Sequence, residues 1–242
     1  IMAFSKLSTP TFELTLPLSQ QKVTFRPFLV KEQKILMMAN EASDKESIVR
    51  AIHDVLKNCT LSKKINVDTL PLLDIEYYFL NLRARSVGEI VELHYRCHNE
   101  VDGVACGNKM DVSVNLLDIK MENMENYNDV VMIDEKVGIK FKHPDLSLIE
   151  DLKEGEEQLD LAIDIILNSI EYVFEDDSLY HANETPKDEL LEFLDSLTQQ
   201  QFEKVEKHFE NLPVLRKKVD IKCSKCGFDH SIDVEGIESF FV

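Results

Sequence analysis

Four cysteines have the type and spacing of metal ligands: Cys97, Cys106, Cys223 and Cys226. Eight residues separate the first two, whereas the last two form a Cys-x-x-Cys motif that is followed by Gly227. Two turns that each contribute two cysteine thiolates form the tetrahedral site of a zinc ribbon. The spacing therefore predicts a structural Zn²⁺ ion held by all four cysteines.

Other interpretations of these cysteines stay open at this level. The two pairs are independent turns with free thiols if they do not meet in the fold. A redox Cys-x-x-Cys motif usually opens a helix, whereas this one lies between strand-like segments. A catalytic zinc ion needs an open coordination position, which four thiolates do not leave. His94, His98 and His230 lie close enough in sequence to replace a thiolate or to surround the site.

The fifth cysteine, Cys59, has a different setting. It follows Ile52, Val55 and Leu56 on an apolar helical face, so we expect a small buried hydrophobic residue. No neighbour in sequence is expected to lower its pKa, and no reactive role is predicted. The N-terminus shows no secretion signal, so the five thiols are expected to be reduced.

Strand-like alternation flanks each cysteine pair, at residues 91–97 and 106–114 and again at 219–222 and 228–234. Hairpins at these positions would carry the cysteines in their turns. Before them, the pattern predicts an antiparallel hairpin followed by three helices, at residues 12–28, 29–42, 46–59 and 70–85. Asp44 is expected to cap the second helix.

The second half of the chain is predicted to be mostly helical. After short strands at 130–133 and 138–141, apolar residues recur at helical spacing from 156 to 174. An acidic loop is expected at 175–184, and two more helices follow, the last of which starts at Thr198.

These elements predict an α+β fold with antiparallel hairpins and a split four-cysteine zinc ribbon that is interrupted by a helical insertion. The expected division is an N-terminal region at 1–143, a helical insertion at 144–213 and a C-terminal zinc hairpin at 214–242.

Net charge limits the classes of partner. The chain of 242 residues has 27 basic and 45 acidic side chains, a net charge of −18. Such a surface repels polyanions, so nucleic acid and anionic membranes are disfavoured as partners. A basic partner, or solubility alone, accounts for the charge. No apolar run reaches the roughly 20 residues needed to cross a bilayer.

Sequence motifs of common enzyme classes are absent, because neither a glycine-rich phosphate loop nor an HExxH or GxSxG motif occurs. Arg83 and Arg85 could bind an anion, but a helix C-terminus favours cations in any case. Phe240, Phe241 and Val242 are expected either to pack into the core or to contact another protein.

Several segments together resemble the T4-type bacteriophage baseplate proteins that take part in building the central hub. They are residues 22–32 (KVTFRPFLVKE), the helix that ends at Asn58-Cys59, residues 74–77 and 82–89 (LRARSVGE), and the first cysteine turn. The similarity is clearest over residues 12–150.

The resemblance implies a non-enzymatic assembly factor, or chaperone, for the central hub of a phage tail baseplate. Its expected partners are baseplate hub proteins and the tape-measure protein, in the cytoplasm of the infected bacterial host. Such a factor need not remain in the virion. The resemblance transfers no catalytic residues, and the zinc site rests on spacing alone.

Two other functions stay open from the sequence: a structural subunit of the hub that is retained in the virion, and a metal-dependent or thiol enzyme. The oligomeric state, including a homo-oligomer, is not determined by the sequence.

Overall fold

The computed structural model describes residues 7–42, 44–125, 127–145 and 158–236. Contacts divide the chain into two compact units: the first comprises the described residues up to 122 together with those from 214, and the second comprises residues 123–213. The fold is α+β, as predicted, and every strand pairing among the described residues is antiparallel.

The first unit contains three helices and nine strands within the described residues. They are β1 (Phe12–Thr15), β2 (Lys22–Phe25), α1 (Val30–Ala42), α2 (Lys45–Cys59), α3 (Leu72–Ser86), β3 (Ile90–Arg96), β4 (Glu100–Val101), β5 (Val104–Ala105), β6 (Lys109–Asn115), β7 (Lys120–Glu122), β12 (Val214–Lys222) and β13 (Asp229–Glu235), with short 3₁₀ turns at Val67–Thr69 and Leu116–Asp118.

The N-terminal part follows the sequence prediction. Strands β1 and β2 form the expected antiparallel hairpin. Asp44 caps α2, because its side chain accepts a hydrogen bond of 2.7 Å from the backbone N–H of Ser47. The buried carboxylate of Asp74 on α3 accepts hydrogen bonds from the N–H groups of Leu18 and Ser19, at 2.8 and 2.9 Å. Asp74 therefore ties the hairpin turn to α3.

One apolar core joins α3 to both cysteine-bearing hairpins. Strands β3 and β6 form one hairpin, and β12 pairs with β13 on one side and with β7 on the other. The core contains Leu73, Leu80 and Ala84 of α3 together with Val91, Val112, Val114, Leu116, Leu215 and Val234. Burial of these residues holds together two hairpins that are far apart in sequence. The cysteine turns lie at the ends of these hairpins.

The second unit contains three helices and a four-stranded sheet within the described residues. The strands are β8 (Val130–Met132), β9 (Val137–Phe141), β10 (Ile170–Glu175) and β11 (Ser178–His181), and the helices are α4 (Gln158–Ser169), α5 (Lys187–Asp195) and α6 (Gln199–Glu210). The order in the sheet is β11-β10-β9-β8. Thr198 and Gln201 form a capping box at the start of α6.

The second unit differs from the helical insertion that the sequence predicted at 144–213. Strands β8 and β9, which were assigned to the N-terminal region, pair with β10 and share its core. The unit therefore begins at residue 123 and has a sheet as well as helices.

The predicted helix at 156–174 and the acidic loop at 175–184 are both corrected by the structure. Helix α4 ends at Ser169, and residues 170–175 form strand β10. The segment Ile170-Glu171-Tyr172-Val173-Phe174 is rich in β-branched and aromatic residues, which favour a strand. β10 pairs with β11 through a turn at Asp176 and Asp177, so the acidic segment is a hairpin.

Two further predictions lie outside the described residues: a short helix at 146–153 and the contacts of Phe240, Phe241 and Val242. Among the described residues, no helix combines the length and the apolar character needed to cross a membrane.

Candidate metal centre

The two cysteine turns have the same backbone hydrogen bonds although their spacings differ. In the first turn, Cys97 N donates to Asn108 O at 2.9 Å and Gly107 N donates to Cys97 O at 3.1 Å. In the second turn, Cys223 N donates to Phe228 O at 2.8 Å and Gly227 N donates to Cys223 O at 2.9 Å. The two turns are therefore equivalent knuckles.

A glycine follows the second cysteine of each knuckle. Gly107 has φ of 60° and Gly227 has φ of 75°, which lie in the left-handed region that glycine adopts without strain. Strands β4 and β5 form a small hairpin that occupies most of the eight-residue loop between Cys97 and Cys106. This hairpin adds length to the first knuckle without changing its geometry.

The four sulfur atoms converge. All of them lie within 4.8 Å of one another. Cys97 Sγ is 3.5 Å from Cys226 Sγ, and Cys106 Sγ is 3.8 Å from Cys223 Sγ, so each close pair takes one cysteine from each knuckle. A tetrahedral site with Zn–S bonds of about 2.3 Å has S–S separations of about 3.8 Å. The arrangement could hold one metal ion.

The four cysteines form no disulfide and are largely shielded from water. All four are free thiols, and Cys97, Cys106 and Cys223 are buried while Cys226 is half-buried. Met110, Tyr95 and Ile221 pack around them. Four thiolates in so small a volume repel one another, and a bound cation would compensate that charge.

Hydrogen-bond donors surround the sulfurs. Asn108 Nδ2 lies 3.5 Å from Cys223 Sγ, and Asn99 Nδ2 lies 3.6 Å from Cys226 Sγ, so amides of the first knuckle reach sulfurs of the second. The sequence analysis did not identify these asparagines. Their position beside a cysteine turn was the available signal, but polar turn residues are too common to be informative.

The knuckle backbones also act on the thiols. Backbone N–H groups of Cys226 and Lys225 lower the pKa of Cys223 to about 6, and the N–H of Phe228 lowers the pKa of Cys226. Desolvation raises the pKa of Cys97 to about 12. The second knuckle therefore favours thiolates, which are the form that binds metal.

The three histidines near the cysteines have different settings. His230 Nε2 lies 3.1 Å from Cys97 Sγ, and its buried ring contacts the rings of Tyr95 and Phe228. The exposed His94 pairs with Asp111, with 2.7 Å between Nδ1 and Oδ1. His98 packs edge-on against Tyr95.

The remaining candidate residues do not join this site. Cys59 is fully buried, as predicted, and desolvation raises the pKa of its thiol to about 11. Arg85 lies 5.4 Å from the ring centroid of Phe12 and pairs with Glu89. Burial lowers the pKa of Arg83.

Comparison with known proteins gives a consistent result over nearly the whole chain. A family model described as T4 bacteriophage base plate protein matches residues 9–242. The baseplate hub assembly protein gp26 of Enterobacteria phage T4 is 24% identical over 220 residues, which cover 90% of this chain and 92% of that protein. No solved structure has significant similarity.

Proposed function

Because this chain belongs to the T4 bacteriophage base plate protein family, we propose that it is a non-enzymatic assembly factor for the central hub of a phage tail baseplate. The observation that carries the proposal is the similarity to a baseplate hub assembly protein over 90% of one chain and 92% of the other. A match of that extent argues for a shared role of the whole chain rather than of one motif.

The proposed partners are baseplate hub proteins and the tape-measure protein, met in the cytoplasm of the infected host. The chain would act as a chaperone, binding these components before the hub closes and leaving before the virion is complete. In the alternative, the chain is a structural subunit that stays in the hub. The family description, which names the base plate itself, supports this alternative.

We further propose that Cys97, Cys106, Cys223 and Cys226 hold a structural Zn²⁺ ion. The S–S separations of 3.5 and 3.8 Å and the matched knuckles support this assignment. A zinc ion bound there would crosslink the two hairpins, because each knuckle contributes two ligands. Four thiolates leave no position for substrate or reactive water, which supports a non-enzymatic role.

Affinity purification from infected cells tests the function. A tagged copy of the chain should recover hub and tape-measure proteins when it is expressed during infection, whereas an untagged copy should not. Mass spectrometry of purified virions then separates the two roles. An assembly factor is absent from virions, whereas a subunit is present at a fixed ratio to hub proteins.

A phage that carries a stop codon in this gene provides the genetic test. It should accumulate tails without hubs, and the chain supplied from a plasmid should restore plaques. Normal hubs in the absence of the chain would overturn the proposed function.

A further inference from the structure

Among the described residues of the second unit, helices cover one face of the sheet. Val131, Ile139 and Val173 point into the core, where residues of α4, α5 and α6 pack. Because successive side chains of a strand alternate between faces, the neighbours of these residues point away from that core. We define the outer sheet face as Val130, Met132, Lys140, Tyr172, Phe174, Leu179 and His181.

Strand register places these residues side by side. Phe174 is opposite Leu179, Tyr172 is opposite His181, and Met132 is opposite Gly138. The rings of Tyr172 and His181 lie 5.7 Å apart, and those of Tyr172 and Phe174 lie 6.4 Å apart. The outer sheet face is therefore mostly apolar and aromatic, and Lys140 lies on it between Val130 and Tyr172, with its ammonium 5.6 Å from the Tyr172 ring centroid.

The patch is accessible to a partner. Leu179 is 51% exposed and Met132 is 44% exposed. The ring of Phe174 lies against Gly138, since a Cβ atom at that position would come within 2.3 Å of it. A glycine at this point leaves room for the ring. Val130, Tyr172 and Phe174 are half-buried. Exposed apolar patches rimmed by polar residues mark interaction sites.

Charge is divided unequally between the two units. Residues 123–213 contain 24 acidic and 7 basic side chains, a net charge of −17. The rest of the chain contains 21 acidic and 20 basic side chains, a net charge of −1. Nearly all of the net charge of −18 therefore belongs to the second unit.

Carboxylates border the outer sheet face. Asp129 and Glu171 lie 3.6 and 3.4 Å from Lys140 Nζ, so the single ammonium within the sheet faces two carboxylates. The turn between β10 and β11 adds Asp176, which pairs with Lys136, and Asp177. An apolar patch inside an acidic border favours a partner that is both apolar and basic.

We infer that the outer sheet face binds a basic segment of another protein that inserts apolar side chains between its Lys and Arg residues. This inference rests on the proposed function, in that the segment would belong to a hub component. A second copy of the chain is disfavoured there, because two units of charge −17 would repel each other.

The test measures binding of designed peptides to the full chain by fluorescence anisotropy. One peptide alternates Lys and Leu, a second replaces Leu with Ser, and a third replaces Lys with Glu. The Lys/Leu peptide should bind at least about tenfold more tightly than either of the others, and its affinity should fall steeply with salt.

Two variants assign the binding to this face. Leu179→Lys should weaken binding of the Lys/Leu peptide about tenfold, whereas Leu61→Lys, at a similarly exposed leucine of the first unit, should not. Asp176→Asn combined with Asp177→Asn should reduce the dependence on salt. This variant keeps side-chain volume, so it still tests the inference if Leu179→Lys fails to fold.

Equal binding of the three peptides would overturn the inference. So would unchanged affinity in Leu179→Lys together with unchanged salt dependence in the double carboxylate variant. Self-association that Leu179→Lys abolishes would overturn it as well, because a second copy would then be the occupant. If hub proteins copurify equally with the wild type, with Leu179→Lys and with the double carboxylate variant, the outer sheet face is not the binding site, but the proposed function stands. If the peptide binds at this face but no hub protein copurifies, the surface stands and the function is wrong.

Discussion

The imidazole of His230 touches the candidate metal centre through Cys97, with 3.1 Å between Nε2 and Sγ. His230 lies on β13 and Cys97 follows β3, so this contact joins the two hairpins beside the four sulfurs. Packing against Tyr95 and Phe228 fixes the ring. With a metal ion bound to Cys97, a proton on Nε2 would be donated to its thiolate, which makes His230 a positioning residue.

Replacing His230 with Ala should weaken metal binding about tenfold, because outer hydrogen bonds to metal ligands typically contribute that much. His230→Gln, which retains a side-chain N–H donor, should recover part of the affinity. Competition with a chromophoric chelator measures affinity, and the sulfur-to-cobalt charge-transfer band of the Co²⁺ form reports on Cys97. The control is His94→Ala, since His94 is exposed and pairs with Asp111. Equal spectra and metal affinities for all variants would contradict a positioning role of His230.

Removing one cysteine of the cluster should release the metal ion. We expect one equivalent of zinc in the wild-type chain and far less in Cys106→Ser, with a fall in melting temperature of about 10 °C because the hairpins lose their crosslink. Elemental analysis and calorimetry measure the two effects.

Cys59→Ala is the matched control for this experiment, because Cys59 is a buried thiol of the same unit that lies outside the cluster. It should keep one equivalent of zinc. Equal zinc contents in Cys106→Ser and the wild type would contradict a four-cysteine site.

The ion pair between Arg26 and Glu32 should stabilise the first unit. Arg26 Nη2 lies 3.0 Å from Glu32 Oε1, and the Glu32 side chain is fully buried. Arg26→Met would leave a buried carboxylate without its main partner, at a cost of about 3 kcal/mol. Lys31→Met removes a more exposed cation, 3.1 Å from the same carboxylate, and should cost less than about 1 kcal/mol. Urea unfolding measures the free energy of unfolding of both variants. Equal losses in Arg26→Met and Lys31→Met would be inconsistent with this account.

The same pair predicts a dependence of stability on pH. Desolvation acts to raise the pKa of Glu32, but hydrogen bonds from Arg26, the N–H of Leu29 and Lys31 outweigh it and lower the pKa to about 2. The resulting stabilisation is present above the ordinary pKa of about 4.3 and is lost as pH falls toward 2. Between about pH 5 and pH 2, the wild type should lose more stability than Glu32→Gln. Parallel pH profiles would argue against the lowered pKa.

Gly138→Ala should displace the ring of Phe174, because the new Cβ atom would lie 2.3 Å from ring atom Cζ. Since the ring lies on the outer sheet face, we expect it to swing outward at a cost on the order of 1 kcal/mol. In a Phe174→Leu background the same change should cost little, which a double-mutant cycle from denaturant unfolding would detect. An equal cost in both backgrounds would locate the strain elsewhere.

Local patterns in the sequence predicted the first half of the chain well. The hairpin at the N-terminus, the three helices that follow and the Asp44 cap all occur where apolar spacing and capping residues place them. Alternation also located the strands beside each cysteine pair. These features depend on residues close together in the chain, so a single sequence contains them.

The sequence misled at residues 170–175, where helical spacing continues into a strand. Val173 fits both the spacing of apolar residues in a helix and the alternation of a strand. Pairing of β10 with β9 decides in favour of the strand. Such pairing depends on residues about thirty positions away along the chain, which no local pattern includes.

By itself, the sequence determined that four cysteines sit in two hairpin turns and that the chain is strongly acidic. Tertiary structure alone decided that the two turns meet as equivalent knuckles and that His230, Asn99 and Asn108 surround the sulfurs. It also decided that the acidic charge belongs to the unit whose described sheet residues include the exposed Met132 and Leu179. The reason is that a shared core built on α3 brings the hairpins together, and such a core is formed by contacts between residues distant in sequence.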